Sequence, residues 1–369
     1  MIHYDTPQAA PWIVCGLSCN GRDVSIECLY VSAYPSGCHR PLTFGIYPGG
    51  MAGGEHGLLA GPPDDPERAG AALAELQGGA TRFIVRCYDS FQDPGSPLWS
   101  LPCAPEEFGR YATPGARPMD LVLQYRSAAG NVPGYLEFVR NRIGRYAPLL
   151  YSVQITEEAS FTGGPEVIDG PYPNVCAALT EGVQTARECL FSLGLRDVKV
   201  GFNSTPTFGP SADFWTRIAT GGRGFIGALD YVGLDFFPDV FRRVAADGQP
   251  GDLASSVVGV LETMRSVWLP SAGISDRVPM HITEHGWPTS SGRSSNRQAK
   301  VIDRVVRTVH ANSERLNVDS YSLFALRDVA LPNSGNEKDV FHFFGILTAD
   351  YERKPAFETY RKLIQELGC

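Results

Sequence analysis

The sequence predicts an α/β fold: a closed (β/α)8 TIM barrel with a short N-terminal β-hairpin appendage. Three observations predict it. Eight apolar, strand-like runs recur between residues 42 and 326. Segments with apolar residues at three- and four-residue spacing separate them, and strand-then-helix alternation implies a parallel sheet. Eight is also the number of strands that closes a barrel of this kind. The alternative, a doubly wound open sheet, usually carries a Gly-rich phosphate loop after its first strand. Here "YPGGMAGGEHG" (47–57) is rich in glycine but lacks the G-x-G-x-x-G spacing, and "PPDDPE" follows it.

In chain order, "WIVCGLS" and "DVSIECLYVSAY" come first, joined through "CNGRD". An Asn-Gly step between two such runs is a hairpin signal. Residues 1–40 are therefore expected to form a hairpin packed on the barrel, and residues 41–369 the catalytic barrel itself. The barrel strands are expected within 42–48, 81–88, 119–125, 149–156, 197–203, 229–237, 279–283 and 319–326. Helices are expected at "PERAGAALAELQG", "PGYLEFVRNRIGRYA", "NVCAALTEGVQTARECLFSLG", "LASSVVGVLETMRSVWL", "NRQAKVIDRVVRTVHANSERL" and the closing "PAFETYRKLIQELG". Several end at Gly, as helix C-termini often do. The connection around "APEEFGRYA" has the weakest helical pattern. "YPGGMAGGEHGLLAGPPDDPE" (47–67) reads as a long loop over the first strand.

Composition narrows the function. With 32 Lys and Arg against 40 Asp and Glu, the net charge of −8 disfavours a nucleic-acid binder, which carries a basic footprint. No apolar run approaches the roughly 18 residues of a membrane span. "MIHYDTPQAAPWIVCG" lacks the basic start and long apolar stretch of a signal peptide, so a cytoplasmic location is expected. The nine cysteines are odd in number and show no disulfide framework, which fits reduced thiols. Cys87, Cys176 and Cys189 sit in apolar or helical patterns and are expected to pack as small hydrophobes. Cys15, Cys19, Cys28 and Cys38 lack the paired knuckles of a zinc site. No metal and no cofactor is expected.

In such a barrel the chemistry belongs at the C-terminal strand ends. The polar residues there are Arg86 and Asp89 on the second strand and Gln124 and Tyr125 on the third. Glu157 and Glu158 end the fourth, Asn203 the fifth and Asp235 the sixth. Glu284 and His285 end the seventh, and Arg327 and Asp328 the eighth. Many such residues are structural: Arg327 and Asp328 suit a salt bridge, and Asn203 suits a turn cap. Acids on strands four and seven are a sharper signal. Those strands face one another across the mouth, and paired carboxylates across a bond are the equipment of glycoside hydrolysis.

The motifs then become specific. "ITEHGWPT" resembles the strand-seven motif Ile-Thr-Glu-x-Gly-Trp-Pro of the clan A glycoside hydrolases, the TIM-barrel retaining glycosidases. "VQITEEAS" is similar to their strand-four form Gln-Ile-Gly-Asn-Glu-Pro-Asn, and "FIVRCY" places Arg86 where the clan often has an Arg beside the nucleophile. The resemblance covers roughly residues 40 to 369. It implies Glu284 as nucleophile and Glu158 as acid/base, with Arg86 keeping Glu284 ionised. The substrate-binding rim it implies draws on Arg86, Tyr125, Glu157, Asn203, Asp235, His285, Trp287 and Arg327, with Trp287 stacking on a sugar ring. Gly286 is expected to let the chain turn after the nucleophile.

The implied activity is retaining hydrolysis of a β-O-glycosidic bond in a small glycoside or oligosaccharide, by double displacement. The alternatives are a sugar-binding barrel impaired in catalysis and a transglycosylase. Three positions depart from the clan's pattern. Glu157 stands where the clan has Asn, "GLDFFP" offers Phe236 and Phe237 where it often has Tyr, and "LFALRD" has no Trp. Adjacent residues on a strand point to opposite faces, so Glu157 and Glu158 are not both expected in the site on strand geometry alone.

Overall fold

A computed structural model describes residues 13–20, 23–30, 40–54, 57–95, 108–163, 168–208, 211, 213–290, 292–330 and 340–369. The chain divides into two compact units, Met1–Arg40 and Pro41–Cys369. The first contains an antiparallel hairpin of β1 (Ile13–Asn20) and β2 (Asp23–Tyr30), with Asn20 opposite Asp23. The side chains of Cys15, Cys19, Cys28 and Cys38, weighed above as metal ligands, lie outside those described.

The second unit is a closed barrel of eight parallel strands. These are β3 (Thr43–Ile46), β6 (Ile84–Gln92), β7 (Met119–Arg126), β8 (Leu150–Ile155), β9 (Lys199–Ser204), β10 (Tyr231–Asp235), β11 (Met280–His285) and β12 (Val318–Leu323). Each overlaps one of the expected runs. β12 closes on β3 in the register Ser320 to Thr43 through Leu323 to Ile46. All eight residues of β7 are buried, because a barrel strand is covered by the interior on one side and helices on the other. That double burial is why the strands read as apolar runs.

The helices obey their signals. Pro66–Gln77 begins at Asp65, whose carboxylate accepts from the backbone of Glu67 and Arg68, and ends at Gly78 with φ 52°. Ser295–Ala311 begins at Ser294 and buries Val301, Ile302, Val305, Val306 and Val309 against the barrel. Val132–Tyr146, Val175–Ser192, Leu253–Thr263 and Pro355–Leu367 complete the long helices. After β9 the helical turn is split into Phe214–Ile218 and Gly222–Ala228. Between β6 and β7 the described residues hold only a short 3₁₀ turn, Phe108–Tyr111.

One expectation is corrected. The stretch 47–67 contains a second hairpin, β4 (Met51–Gly54) with β5 (Gly57–Ala60). Its glycines carry no side chains whose alternation could signal a strand. No helix among the described residues is long and apolar enough to cross a membrane.

Candidate active site

A cleft of about 810 Å³ opens at the barrel mouth. Of the expected site residues Glu157, Glu158, Asp235 and Glu284 line it, while Arg86 and Asn203 lie fully buried beneath them. Glu158 follows the end of the fourth barrel strand, and Glu284 stands in the seventh.

Both glutamates of the Glu-Glu pair reach the cleft because the strand has already ended. β8 stops at Ile155, and Thr156 and Glu158 then adopt left-handed backbone, φ 62° and 47°. Strand alternation no longer applies to them. Such conformations are uncommon for non-glycine residues and persist where their surroundings hold them. Asp169 supplies that hold. Its Oδ2 accepts from Glu157 N and Tyr125 N, each at 2.7 Å, and its own N–H donates to Glu157 O at 2.9 Å. Asn203 completes it, with Oδ1 accepting from Glu158 N at 2.8 Å and Nδ2 donating to Glu157 Oε1 at 3.2 Å and Asp235 Oδ2 at 2.5 Å.

Glu157 is a buried carboxylate with donors on both of its oxygens. Besides Asn203, it accepts from Gln154 Nε2 at 2.7 Å and Arg86 Nη2 at 3.2 Å. Arg86 also donates to Asp120 at 2.6 Å and Gln154 at 2.9 Å. The guanidinium therefore serves Glu157 and Asp120 first. Its Nε lies 3.9 Å from Glu284 Oε1, too far for a direct hydrogen bond. Tyr88 bridges the gap: its hydroxyl accepts from Arg86 Nε at 2.6 Å and donates to Glu284 Oε1.

The electrostatics arise from the four acids of the cleft and Asp120 sharing one cation. Burial and the charge of Glu157 push Glu284 up to about 8, against the opposing pull of Arg86 and the Tyr88 hydrogen bond. Burial, then Glu157 and Glu284, raise Glu158 well above the ordinary carboxylate range. Asp235 is raised by burial and by Glu157 and Glu284, and it also accepts from Thr283 Oγ1 at 2.5 Å. Arg86 favours the ionised form of Glu284, but it is shared with Glu157 and Asp120 and is opposed by burial and the charge of Glu157. Such a cluster holds protons near neutral pH, which suits acid/base work.

No protein-family model matches the chain, and no curated protein does. Its structural neighbours are glycoside hydrolases. A GH2 beta-galacturonidase from Eisenbergiella tayi, bound to galacturonate, aligns with TM-score 0.55 and 12% identity, over 96% of this chain and 55% of that one. A structure of fungal beta-1,4-galactanases aligns with TM-score 0.55 and 13% identity, over 87% and 99%. The GH1 beta-glucosidase from Exiguobacterium antarcticum B7 aligns with TM-score 0.51 and 14% identity, over 81% and 86%. The chain spans about 55% of the galacturonidase's length. At these identities the likeness is one of fold.

The remaining expected residues do not line the cleft. Tyr125 faces the helical shell, stacks on Phe91 and donates to Pro173 O at 3.0 Å. Its strand neighbour Gln124 points into the cleft instead. His285 is fully buried, pairs through Nδ1 with Tyr321 and is pushed down to about 3 by burial. Trp287 is buried beneath Arg293 and donates to Asp239 O at 3.3 Å, so it packs the rim rather than a sugar. Arg327 pairs with Asp64 at 2.6 Å, and Asp328 with Lys354 at 2.7 Å, both as structural ties. Asp89 faces away from the cleft to Arg142 at 2.5 Å. Gly286 is needed for close approach rather than a turn, since a Cβ there would meet Phe324 O at 1.9 Å.

Four residues of the site lie outside the expected set. Period two on β6 puts Arg86, Tyr88, Ser90 and Gln92 on one face, and that alternation is the signal for Tyr88. Gln124 was passed over for its aromatic neighbour. Phe324 lines the cleft at the end of β12, stacked on Tyr47 with centroids 5.2 Å apart, where the sequence has no Trp. Asp169 lies outside any strand and had no sequence signal. As for a metal, Glu157, Glu158 and Asp235 each offer an oxygen within 4.8 Å of the others. Asn203, Gln154, Arg86 and Thr283 already donate to Glu157 and Asp235, which is hydrogen-bond rather than cation chemistry.

Proposed function

We propose that the chain is a retaining β-glycosidase of the clan A type, with Glu284 as nucleophile and Glu158 as acid/base. The observation that carries this reading is the meeting of Glu158 and Glu284 in one cleft, at the ends of the fourth and seventh strands of a closed barrel. Tyr88 and the shared Arg86 support the nucleophile's side. The active form has Glu284 ionised and Glu158 protonated. A Glu284 oxygen attacks the anomeric carbon, the bond to the leaving oxygen breaks, and Glu158 gives that oxygen its proton. Water then attacks the glycosyl ester and passes a proton to Glu158, which frees the sugar with its configuration retained. Glu157, with its charge held by three donors, is placed to accept a hydrogen bond from a hydroxyl or amino group at the sugar's 2-position.

Turnover of activated aryl β-glycosides tests this. Glu284→Gln lowers kcat by roughly a thousandfold or more with an unchanged circular dichroism spectrum. Glu158→Gln loses alkyl glycosides much more than activated aryl ones, whose leaving groups need no proton. Full activity in Glu284→Gln eliminates Glu284 as nucleophile.

A further inference from the structure

The cleft has two chemically different walls. One is polar and comes from β6 and β7. Ser90 Oγ donates to Gln124 Oε1 at 2.7 Å, Arg126 Nη2 donates to the same oxygen at 2.8 Å, and the buried Gln92 Oε1 has no hydrogen-bond partner. The other side carries a run of phenylalanines, with Arg242 and Arg243 following Phe241 in the lining. Phe324 stacks on Tyr47, which meets Tyr88 edge-on at 5.2 Å. Phe344 packs on Phe324 at 5.7 Å, Phe341 on Phe344 at 6.2 Å, and Phe241 on Phe341 at 5.9 Å. The series runs from beside Glu284 to the rim, where Phe241 is 60% exposed. Phe161 and Phe208, on the loops after β8 and β9, stand 43% and 59% exposed. Of the six most exposed large apolar side chains among the described residues, these three line this one cleft.

A phenyl ring can take the apolar face of a sugar, but it offers no hydrogen bond, so this run of rings favours an apolar group over the hydroxyl-bearing edge of a second sugar. An apolar group there is freed from water on both sides. Phe161, which lines the same cleft, stands on the acid/base side: its N donates to Glu158 O at 2.9 Å, and the acid/base must stand beside the leaving oxygen. We infer that the phenylalanine wall is the leaving-group subsite, and that the substrate is a glycoside of a hydrophobic alcohol or phenol rather than an oligosaccharide. The chemistry of this inference rests on the glycosidase reading; the binding does not. The sugar lies against Tyr88, Gln92 and Gln124, and the leaving group extends along the phenylalanines. The cleft volume falls within the roughly 300–1,000 Å³ of small-molecule sites.

The test has a binding arm and a kinetic arm. 2-Naphthol is titrated calorimetrically into the intact protein and into a Phe161→Ser, Phe241→Ser variant, both positions being exposed enough to change without touching the core. Methyl and n-octyl β-glucosides, galactosides and glucuronides are compared by kcat/KM, their alcohols being similar enough in acidity that the ratio reports binding. The expected result is a Kd for 2-naphthol below about 1 mM, weakened about tenfold in the variant. An n-octyl preference of at least about tenfold, lost in the variant, is expected for whichever sugar is cleaved. Equal 2-naphthol binding by both proteins, or faster cleavage of a disaccharide than of the octyl glycoside, overturns the inference. Binding that responds to the variant, with no glycoside cleaved, leaves the subsite standing and removes the catalytic reading instead.

Discussion

Tyr88 stands between Arg86 and Glu284, so one hydroxyl helps to set the charge state of the proposed nucleophile, beside burial, Glu157 and Arg86. Activity needs Glu284 ionised, so it is lost as pH falls through that group's value, about 8. The acid limb of kcat/KM is therefore expected well above the ordinary carboxylate range, since that profile reports the free enzyme. Tyr88→Phe removes a donor to the carboxylate. It is expected to move the limb to higher pH and lower kcat/KM at pH 7 by roughly tenfold or more. Glu157→Gln removes the charge that raises Glu284, and the limb is expected to move to lower pH. Rate profiles of the two variants check this, and shifts in the same direction contradict it. Tyr88 was legible in sequence through its alternation with Arg86. The charged strand ends outweigh it as a signal, although a neutral hydroxyl here relays charge.

At the scale of elements, the regular strands were legible and the segments beyond their ends were not. Glu284 stands within β11, so its strand pattern placed it. Glu157 and Glu158 lie past the end of β8, where Thr156 and Glu158 turn left-handed, and no periodicity extends there. The same limit explains Trp287 and Arg327: both come after a strand end, and packing against the loops decides where they point. Gly286 shows how tightly these ends are fitted. Gly286→Ala brings a Cβ to 1.9 Å from Phe324 O and 2.8 Å from Phe344 Cδ1, so either β11 or the Phe324 segment must move. We expect a loss of about 1–3 kcal/mol in stability together with a fall in kcat, measured by chemical denaturation and steady-state kinetics. A fully active, equally stable Gly286→Ala protein contradicts this fit.

For the molecule as a whole, the barrel was legible because doubly covered strands must be apolar and their helices amphipathic, as in β7 and Ser295–Ala311. The β4–β5 hairpin was not, because glycines carry no pattern. The acid cluster at the mouth, and the buried Asp328 apart from it, give the fold its own pH dependence. Glu284 is raised to about 8, Asp328 to about 6, mainly by burial, and Glu158 and Asp235 in the same direction. A raised acid binds more protons folded than unfolded, so its contribution is favourable below about pH 4 and is lost as pH rises toward its folded value. Glu284→Gln removes one such group. Its stability relative to wild type is expected to increase by about 1 kcal/mol or more between pH 5 and pH 9, as read by denaturant unfolding at each pH, whereas a pH-independent difference contradicts the cluster's role. The central claim, covalent catalysis by Glu284, is tested most directly by mass spectrometry. The protein is treated with activated 2-deoxy-2-fluoro β-glycosides of glucose, galactose and glucuronic acid, then digested. The account predicts one glycosyl adduct per chain, on the peptide carrying Glu284 and absent from Glu284→Gln. An adduct on Glu157 or Glu158, or steady turnover of these glycosides with no adduct on Glu284, would contradict it.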